Sequence, residues 1–416
     1  MAERLAPGSE VASGLSAHPL PADVLEKRLF HRVLVLSNLP AAWPPAVNAL
    51  LLLVAIGAVG AVWWGEAERT IAGYVTAALV LFALADVYIL RSLPRLHISF
   101  GAVAPQLFVL EAPRLAVSAG LAFVSPFAGP VPALASVLVI NAVALAALVW
   151  GALLEPAELR LSLATLPVDS FPSGAPPLRL LHISDIHVER FGLREASLLE
   201  LVRRTNPDLV LLTGDYVNLS CVDDPVARAH ARQLLAGLCD GVADSGAPRG
   251  VFAVLGSPPV DRNSATLFDG LPIRLLRNEA VTVEQGAGRR LRLVGLDCSH
   301  DPERDSVQLE RVVADVPSGV ARVLLYHSPE LTHVAADLGI DLYLCGHTHG
   351  GQVRLPFYGA LVTSSRLGKR YEMGYCREGA THLYVSRGIG FEGLAAPRVR
   401  FLCPPEIILW TLTAPD

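Results

Sequence analysis

The sequence predicts four membrane-spanning helices followed by an α/β domain, and three observations carry that reading. Four apolar stretches follow one another between Pro45 and Leu154 with almost no charge. Beyond Leu154, short apolar runs alternate with stretches of helical periodicity, the pattern of an α/β domain. Several of those runs close on Asp or His, which puts polar groups where strands give way to loops.

Residues 1–44 are rich in Ala and Pro and hold Glu3 but no compact apolar segment. They are expected to be weakly ordered and cytoplasmic, and not to act as a cleavable signal peptide. The four spans then cover Pro45–Trp64, Ile71–Leu90, Ala102–Phe127 and Val131–Leu154, each close to or beyond the roughly 20 residues that cross a bilayer as a helix. Four in succession argue against buried helices of a large soluble core. Trp63, Trp64 and Trp150 mark span ends, as interfacial aromatics do. The third span holds Glu111, Pro113 and Arg114, and ionisable groups at bilayer depth are costly. Either Glu111 and Arg114 pair as i,i+3 neighbours or the span starts later, and a later start is favoured over a functional polar site there. Arg4, Lys27, Arg28 and Arg32 precede the first span, Arg91 and Arg95 lie between the second and third, and the other short loops hold only Arg69. By the positive-inside rule both termini are cytoplasmic.

Residues 155–177 contain six prolines or glycines and no long apolar run, and are read as a linker. From 178 to 416 the α/β domain begins with LRLLHISDIH (178–187), followed by LREASLLELVRRTNP (193–207), whose helical spacing stops at Asn206-Pro207. Buried-strand runs follow in DLVLLTGD (208–215), GVFAVLG (250–256), RLRLVGLD (290–297), RVLLYH (322–327), DLYLCGH (341–347) and HLYVSRG (382–388). The net charge of −5 gives no support to a nucleic-acid partner. The six cysteines show no metal-ligand spacing and no disulfide framework, so a reducing compartment is favoured.

The polar groups at these strand ends form a set. Asp185 and His187, two apart, can point from one strand end toward one place. Asp215 closes the next strand, His327 another, and His347 and His349 a further one. Carboxylates with imidazoles suit a first-row divalent ion such as Mn, Fe or Zn. With one carboxylate bridging, such a set can hold two ions that clamp a phosphoryl group and activate a water. A lone histidine at a strand end is usually a structural hydrogen-bonder, and D-x-H alone is a weak signal. Two histidines flanked by glycines in GHTHGGQ serve little packing purpose, and they carry the reading.

In combination, D-I-H (Asp185, His187), T-G-D (Asp215), Y-H-S-P (His327) and G-H-T-H-G-G-Q (His347, His349) resemble the calcineurin-like metallophosphoesterase superfamily. The tail LYVSRGIG…PRVRFLCPPEIILWTL is similar to its membrane-associated bacterial, YkuE-type branch. The resemblance runs from about Leu178 to the end. It implies a four-layer α/β/β/α sandwich with a dinuclear site at the strand ends. It also implies a first metal on Asp185, His187, Asp215 and His349, and a second on Asp215, His327, His347 and an asparagine, with Asp215 bridging. Asp215, His327 and His347 would be the catalytic residues among these. The expected setting is a bacterial inner membrane with the soluble domain cytoplasmic.

One stretch departs from the pattern. Where the family carries Gly-Asn-His-Asp, this chain reads Gly256-Ser257-Pro258-Pro259. Ser257 then stands for the amide ligand of the second metal, and Pro258 for a histidine that protonates the leaving group or stabilises the transition state. A serine hydroxyl is the poorer ligand, so the second metal site is expected to be weak or empty. Proline donates no proton and has no backbone N–H. Asp261 or Arg262 would substitute only through a rearranged loop, and His300 lies in the loop-like context Asp-Cys-Ser-His-Asp. Three readings follow: a membrane-anchored phosphoesterase acting on a phosphorylated small molecule or lipid, a metal- or phosphate-binding regulatory module, and a membrane element with an accessory soluble domain. The sequence does not indicate an oligomeric state.

Overall fold

The apolar stretches form helices: α1 Pro45–Glu66, α2 Arg69–Ser92, α3 Val103–Ala128 and α4 Pro130–Val149. The computed structural model describes residues 2–4, 36–67, 69–98, 101–243, 250–314, 319–393 and 397–415. The chain divides into two units, one of Glu26–Leu154 with Gly393–Phe401, the other of the remaining chain. Most of the N-terminal segment expected to be weakly ordered lies outside the described residues.

In the helical unit all four helices are long and apolar enough to cross a membrane. Leu52, Ile56, Val75, Leu79, Ala122 and Val137 pack inside it, while Leu50, Val54, Leu81, Phe123 and Val143 stay exposed. Helices apolar on every side are those of a deep core or a membrane span. Trp64 and Trp150 are exposed as expected, but Trp63 turns inward and its indole N–H donates to the Ser118 carbonyl at 2.9 Å. The later start favoured for the third span is corrected. α3 begins at Val103, runs through Pro113, and carries Glu111 and Arg114 buried as an i,i+3 pair at 3.3 Å. Asp86 of α2 also pairs with Arg114, so the guanidinium is held between two carboxylates in apolar surroundings, the arrangement that lowers the cost of burying charge. The segment Gly393–Phe401 belongs to this unit, and the Arg400 amide donates to the Gly151 carbonyl at 2.8 Å.

The other unit is built on strands β1 Ala2–Arg4, β2 Arg160–Pro167, β3 Leu178–Ile183, β4 Leu209–Leu212, β5 Gly250–Ala253, β6 Ile273–Leu275, β7 Glu279–Gln285 and β8 Arg289–Gly295. They are followed by β9 Ala321–Leu325, β10 Leu342–Cys345, β11 Arg354–Leu355, β12 Gly359–Ala360, β13 Gly374–Glu378, β14 Thr381–Val385 and β15 Glu406–Thr413. One sheet has the order β1-β2-β15-β3-β4-β5-β6 and another β13-β14-β10-β9-β8-β7, with β11 and β12 as a separate ribbon. Helices α5 Leu193–Thr205, α6 Pro225–Ala243, α7 Pro258–Asp261, α8 Pro302–Ala314 and α9 Thr332–Asp337 complete it. The segment read as a linker is corrected in part. Its residues 160–167 are β2, paired in parallel along the full length of β15.

Period-two alternation assigns each strand residue to a layer. Leu178, Leu180, Leu209 and Leu211 meet Leu293, Val323, Leu325 and Leu344 between the two sheets. Their sequence neighbours Leu181, Val210 and Leu212 instead meet Leu198, Leu234 and Leu238 of α5 and α6. On the other sheet Leu324 and Tyr343 meet Leu309 of α8 and Ala335 of α9. These three cores are the interfaces of a four-layer α/β/β/α sandwich. β3, β4 and β5 are mutually parallel, as are β8, β9 and β10, so each set opens its carboxyl ends at one rim, where α/β folds place ligands.

Candidate metal centre

The loops leaving β3, β4, β9 and β10 bring all six predicted ligands to that rim. Asp185, His187, Asp215, His327 and His349 are buried, and His347 is partly so. Two groups of three have ligand atoms within 4.8 Å of one another: Asp185, His187 and His349, and Asp185, Asp215 and His327. His187 Nε2 lies 3.1 Å from His349 Nε2. His347 falls outside both groups of three, but its Nδ1 lies 3.2 Å from His327 Nε2. Asp215 Oδ2 stands between the two histidine pairs, 3.5 Å from His187 Nε2 and 3.3 Å from His327 Nε2. The Asp185 carboxylate accepts the His347 amide at 3.0 and 3.1 Å.

The backbone is bent to make this possible. Asp185, His187, Asp215, His347 and His349 all have φ between +45° and +71°, a region uncommon for residues other than glycine and concentrated at functional sites. Two glycines give the space. A Cβ on Gly346 would sit 1.9 Å from Asp185 Oδ2, and one on Gly256 would sit 2.2 Å from Asp215 Oδ1.

The donor set fits divalent cations. Ligand atoms 2.0–2.1 Å from one ion stand about 2.9–3.4 Å apart, and the imidazole and carboxylate atoms here are 3.1–3.5 Å apart. The two buried carboxylates stand among imidazoles, so a cation would neutralise charge that burial otherwise penalises. Burial, followed by Asp215 nearby, pushes Asp185 up to about 6 although His327 opposes it. Burial also works against an ionised Asp215, yet His327 and His187 beside it hold its carboxyl well below the usual range. His327 is raised well above its ordinary value, because Asp215 and Asp185 outweigh the burial that disfavours its cation. Burial and the His327 charge press His347 down to about 3.

A sign follows for metal uptake. Ligands bind metal only when deprotonated, and without metal Asp215 and Asp185 favour the protonated form of His327, while Asp185 gains a proton as pH falls through about 6. Metal binding is therefore expected to release protons, and apparent affinity to rise with pH across this window. Calorimetric titration in two buffers of different ionisation enthalpy checks this; identical heats would contradict it.

Ser257 and Pro258 lie at the same rim, after β5. Ser257 Oγ is 3.1 Å from His327 Nε2 and 3.5 Å from His347 Nδ1, and its amide donates to Asp215 Oδ1 at 2.7 Å. Pro258 is exposed at the first position of α7. Neither alternative weighed for this loop takes its place. Asp261 is buried and accepts the amides of Gly256, Asp215 and Tyr216 at 2.7–3.2 Å, and Arg262 pairs with Asp223 at the surface. Sequence reasoning missed Glu392, whose Oε2 lies 3.3 Å from His187 Nδ1. Its backbone is clamped by Gln352, with Nε2 donating to the Glu392 carbonyl at 2.7 Å and Oε1 accepting its amide at 3.0 Å. The only hint was the last residue of GHTHGGQ.

Comparison with known proteins agrees with this geometry. The family model for calcineurin-like phosphoesterases matches residues 178–351, which include every candidate ligand. Metallophosphoesterase YkuE of Bacillus subtilis is 29% identical over 265 residues, covering 62% of this chain and 87% of the relative. Phosphodiesterase YaeI of Escherichia coli is 30% identical over 260 residues, covering 58% and 84%. The UDP-2,3-diacylglucosamine pyrophosphatase LpxG of Chlamydia trachomatis is 25% identical over 323 residues, covering 63% and 91%.

Proposed function

Because the chain belongs to the calcineurin-like phosphoesterase family and is a hydrolase of ester bonds, we propose that it is anchored in a membrane by α1–α4 and cleaves a phosphate ester or pyrophosphate bond of a lipid or lipid precursor. The observation that carries this reading is the convergence of six candidate ligands from four strand ends on one rim. LpxG, a relative, is by name a pyrophosphatase of a diacylated sugar nucleotide. Within the helical unit a cavity of about 520 Å³, lined by Leu52, Ile56, Val80, Val87 and Leu107 with the exposed Arg91, suits an acyl chain below an anionic group. The basic residues flanking the spans favour a cytoplasmic domain on a bacterial inner membrane.

In this reading Asp185, His187, Asp215 and His349 would hold a first divalent ion, and Asp215, His327 and His347 would hold a second, drawn from Mn, Fe or Zn. When bound, such ions supply positive charge to the phosphoryl oxygens and an activated water. The chain's own groups set the positions. The His347 amide fixes Asp185, the Ser257 amide fixes Asp215 Oδ1, and Glu392 orients the His187 ring from its far nitrogen, as outer-shell partners of metal ligands do. Ser257 Oγ, 3.1 Å from His327 Nε2, would be a weaker donor to that second ion than an amide oxygen.

The test uses the full chain in sealed membrane vesicles of each orientation, with Mn, Fe, Co or Zn and bis-p-nitrophenyl phosphate or p-nitrophenyl phosphate. Turnover is expected only with the cytoplasmic face outward, is lost to a chelator, and returns with metal. Activity confined to the opposite face would overturn the orientation. Absence of turnover with all four metals would overturn catalysis. It would favour instead a metal- or phosphate-binding module, the reading to which Ser257 and Pro258 point.

A further inference from the structure

Cleavage of a phosphate ester leaves negative charge on the departing oxygen, and an alkoxide needs a proton as its bond to phosphorus breaks. The loop after β5 offers no such donor, since Ser257 is held against His327 and Pro258 has neither an acidic group nor an N–H. The loop after β8 brings an imidazole to the same rim. The His300 ring centroid lies 5.3 Å from that of His347, edge-on at 61°, and His300 is exposed. One side of this imidazole meets the His347 ring and the residue is open to an incoming molecule.

The way the loop is held argues against an incidental position. His300 has φ of +61°, a conformation that residues other than glycine seldom adopt. Hydrogen bonds from several elements enforce it. The Ser299 amide and hydroxyl donate to Asp305 at 2.9 and 2.6 Å, and the Tyr326 hydroxyl donates to the same carboxylate at 2.6 Å. Arg366 Nη2 donates to the His300 carbonyl at 2.9 Å. Tyr326 directly precedes His327, so the buried Asp305 ties this loop to the strand end that presents a candidate ligand. A plain turn here would be better served by glycine or asparagine.

We propose that His300 is a catalytic residue, the proton donor to the leaving oxygen, an assignment that rests on the hydrolase reading above. The water oxygen bonds to phosphorus as the phosphorus–oxygen bond to the leaving alcohol breaks. The protonated ring of His300 gives a proton to that departing oxygen and is left as neutral imidazole, and the proton shed by the attacking water returns it to the imidazolium form. No oxidant or further reactant enters.

The experiment compares the full chain in detergent with its His300→Ala and His300→Asn variants, all loaded with Mn²⁺. Asparagine tolerates the left-handed backbone, so His300→Asn keeps the loop. Two diesters are used, one releasing p-nitrophenolate, which departs without a proton, the other releasing an alkyl alkoxide. On the alkyl ester kcat is expected to fall about 10²–10⁴-fold in both variants, and on the p-nitrophenyl ester less than about tenfold, with bound metal per chain unchanged. Added imidazole is expected to restore alkyl-ester turnover in His300→Ala. Equal losses on both esters, loss of metal, or no loss on either would overturn the assignment. A wild type inactive on both esters would overturn the hydrolase reading itself, and the assignment with it.

Discussion

Replacing Asp215 with asparagine is expected to lower turnover by about 10³-fold or more, the several kcal/mol that correctly held metal charge contributes to phosphoryl chemistry. Bound metal per chain is expected to fall with it. The residue stands between the two histidine pairs, its Oδ2 3.5 Å from His187 Nε2 and 3.3 Å from His327 Nε2. Asparagine keeps the shape and still lets Oδ1 accept the Ser257 amide, but it removes the charge and turns a neutral group toward both imidazoles. The metal-free fold is expected to lose stability as well, because Asp215 is the main charge that holds the buried His327 well above its ordinary value, and removing one partner of a buried pair is costly. Elemental analysis, turnover and thermal unfolding on one preparation separate these effects. Full metal content with turnover within tenfold of wild type would remove Asp215 from the centre of the site.

The parts that sequence made legible are local ones. Hydrophobic length marked α1–α4, and each of β3, β4, β9 and β10 closes on the Asp or His that its apolar run announced. What stayed hidden depends on pairing across the chain. β2 reads as linker because prolines and glycines crowd residues 155–177, and its partner β15 lies at the other end of the domain. Asp86 joins Arg114 from a different helix, so the third span looked poorer in its polar pair than it is. Glu392 reaches His187, and His300 reaches His347, through loops with no motif of their own. Trp63 turns inward because Ser118 offers it a carbonyl, which periodicity cannot foresee. The left-handed backbone at five of the six candidate ligands is likewise a property of the assembled rim.

The loop after β5 gives the other large effect, and its size depends on His300. Ser257→Asn with Pro258→His is expected to raise bound metal toward two per chain, because an amide oxygen at 257 would face the place where Ser257 Oγ now lies 3.1 Å from His327 Nε2. The backbone is suited to both changes. Ser257 is the N-cap of α7 without a side-chain cap, a position asparagine favours, and Pro258 is exposed at its first turn. Ser257 is 6% exposed, so the larger amide carries an overpacking cost of about 1–3 kcal/mol, visible in thermal unfolding. If His300 already supplies the proton, a histidine at 258 adds little turnover in the wild-type background. In the His300→Ala background it should restore alkyl-ester turnover by about 10²–10⁴-fold, the contribution of a positioned acid. This non-additivity is the measurable quantity, since two groups serving one proton transfer are coupled while independent ones add. Gains of the same size in both backgrounds would mean that the two histidines act separately. No gain in metal or turnover in either background, with the protein folded, would mean that Ser257 and Pro258 do not limit the site.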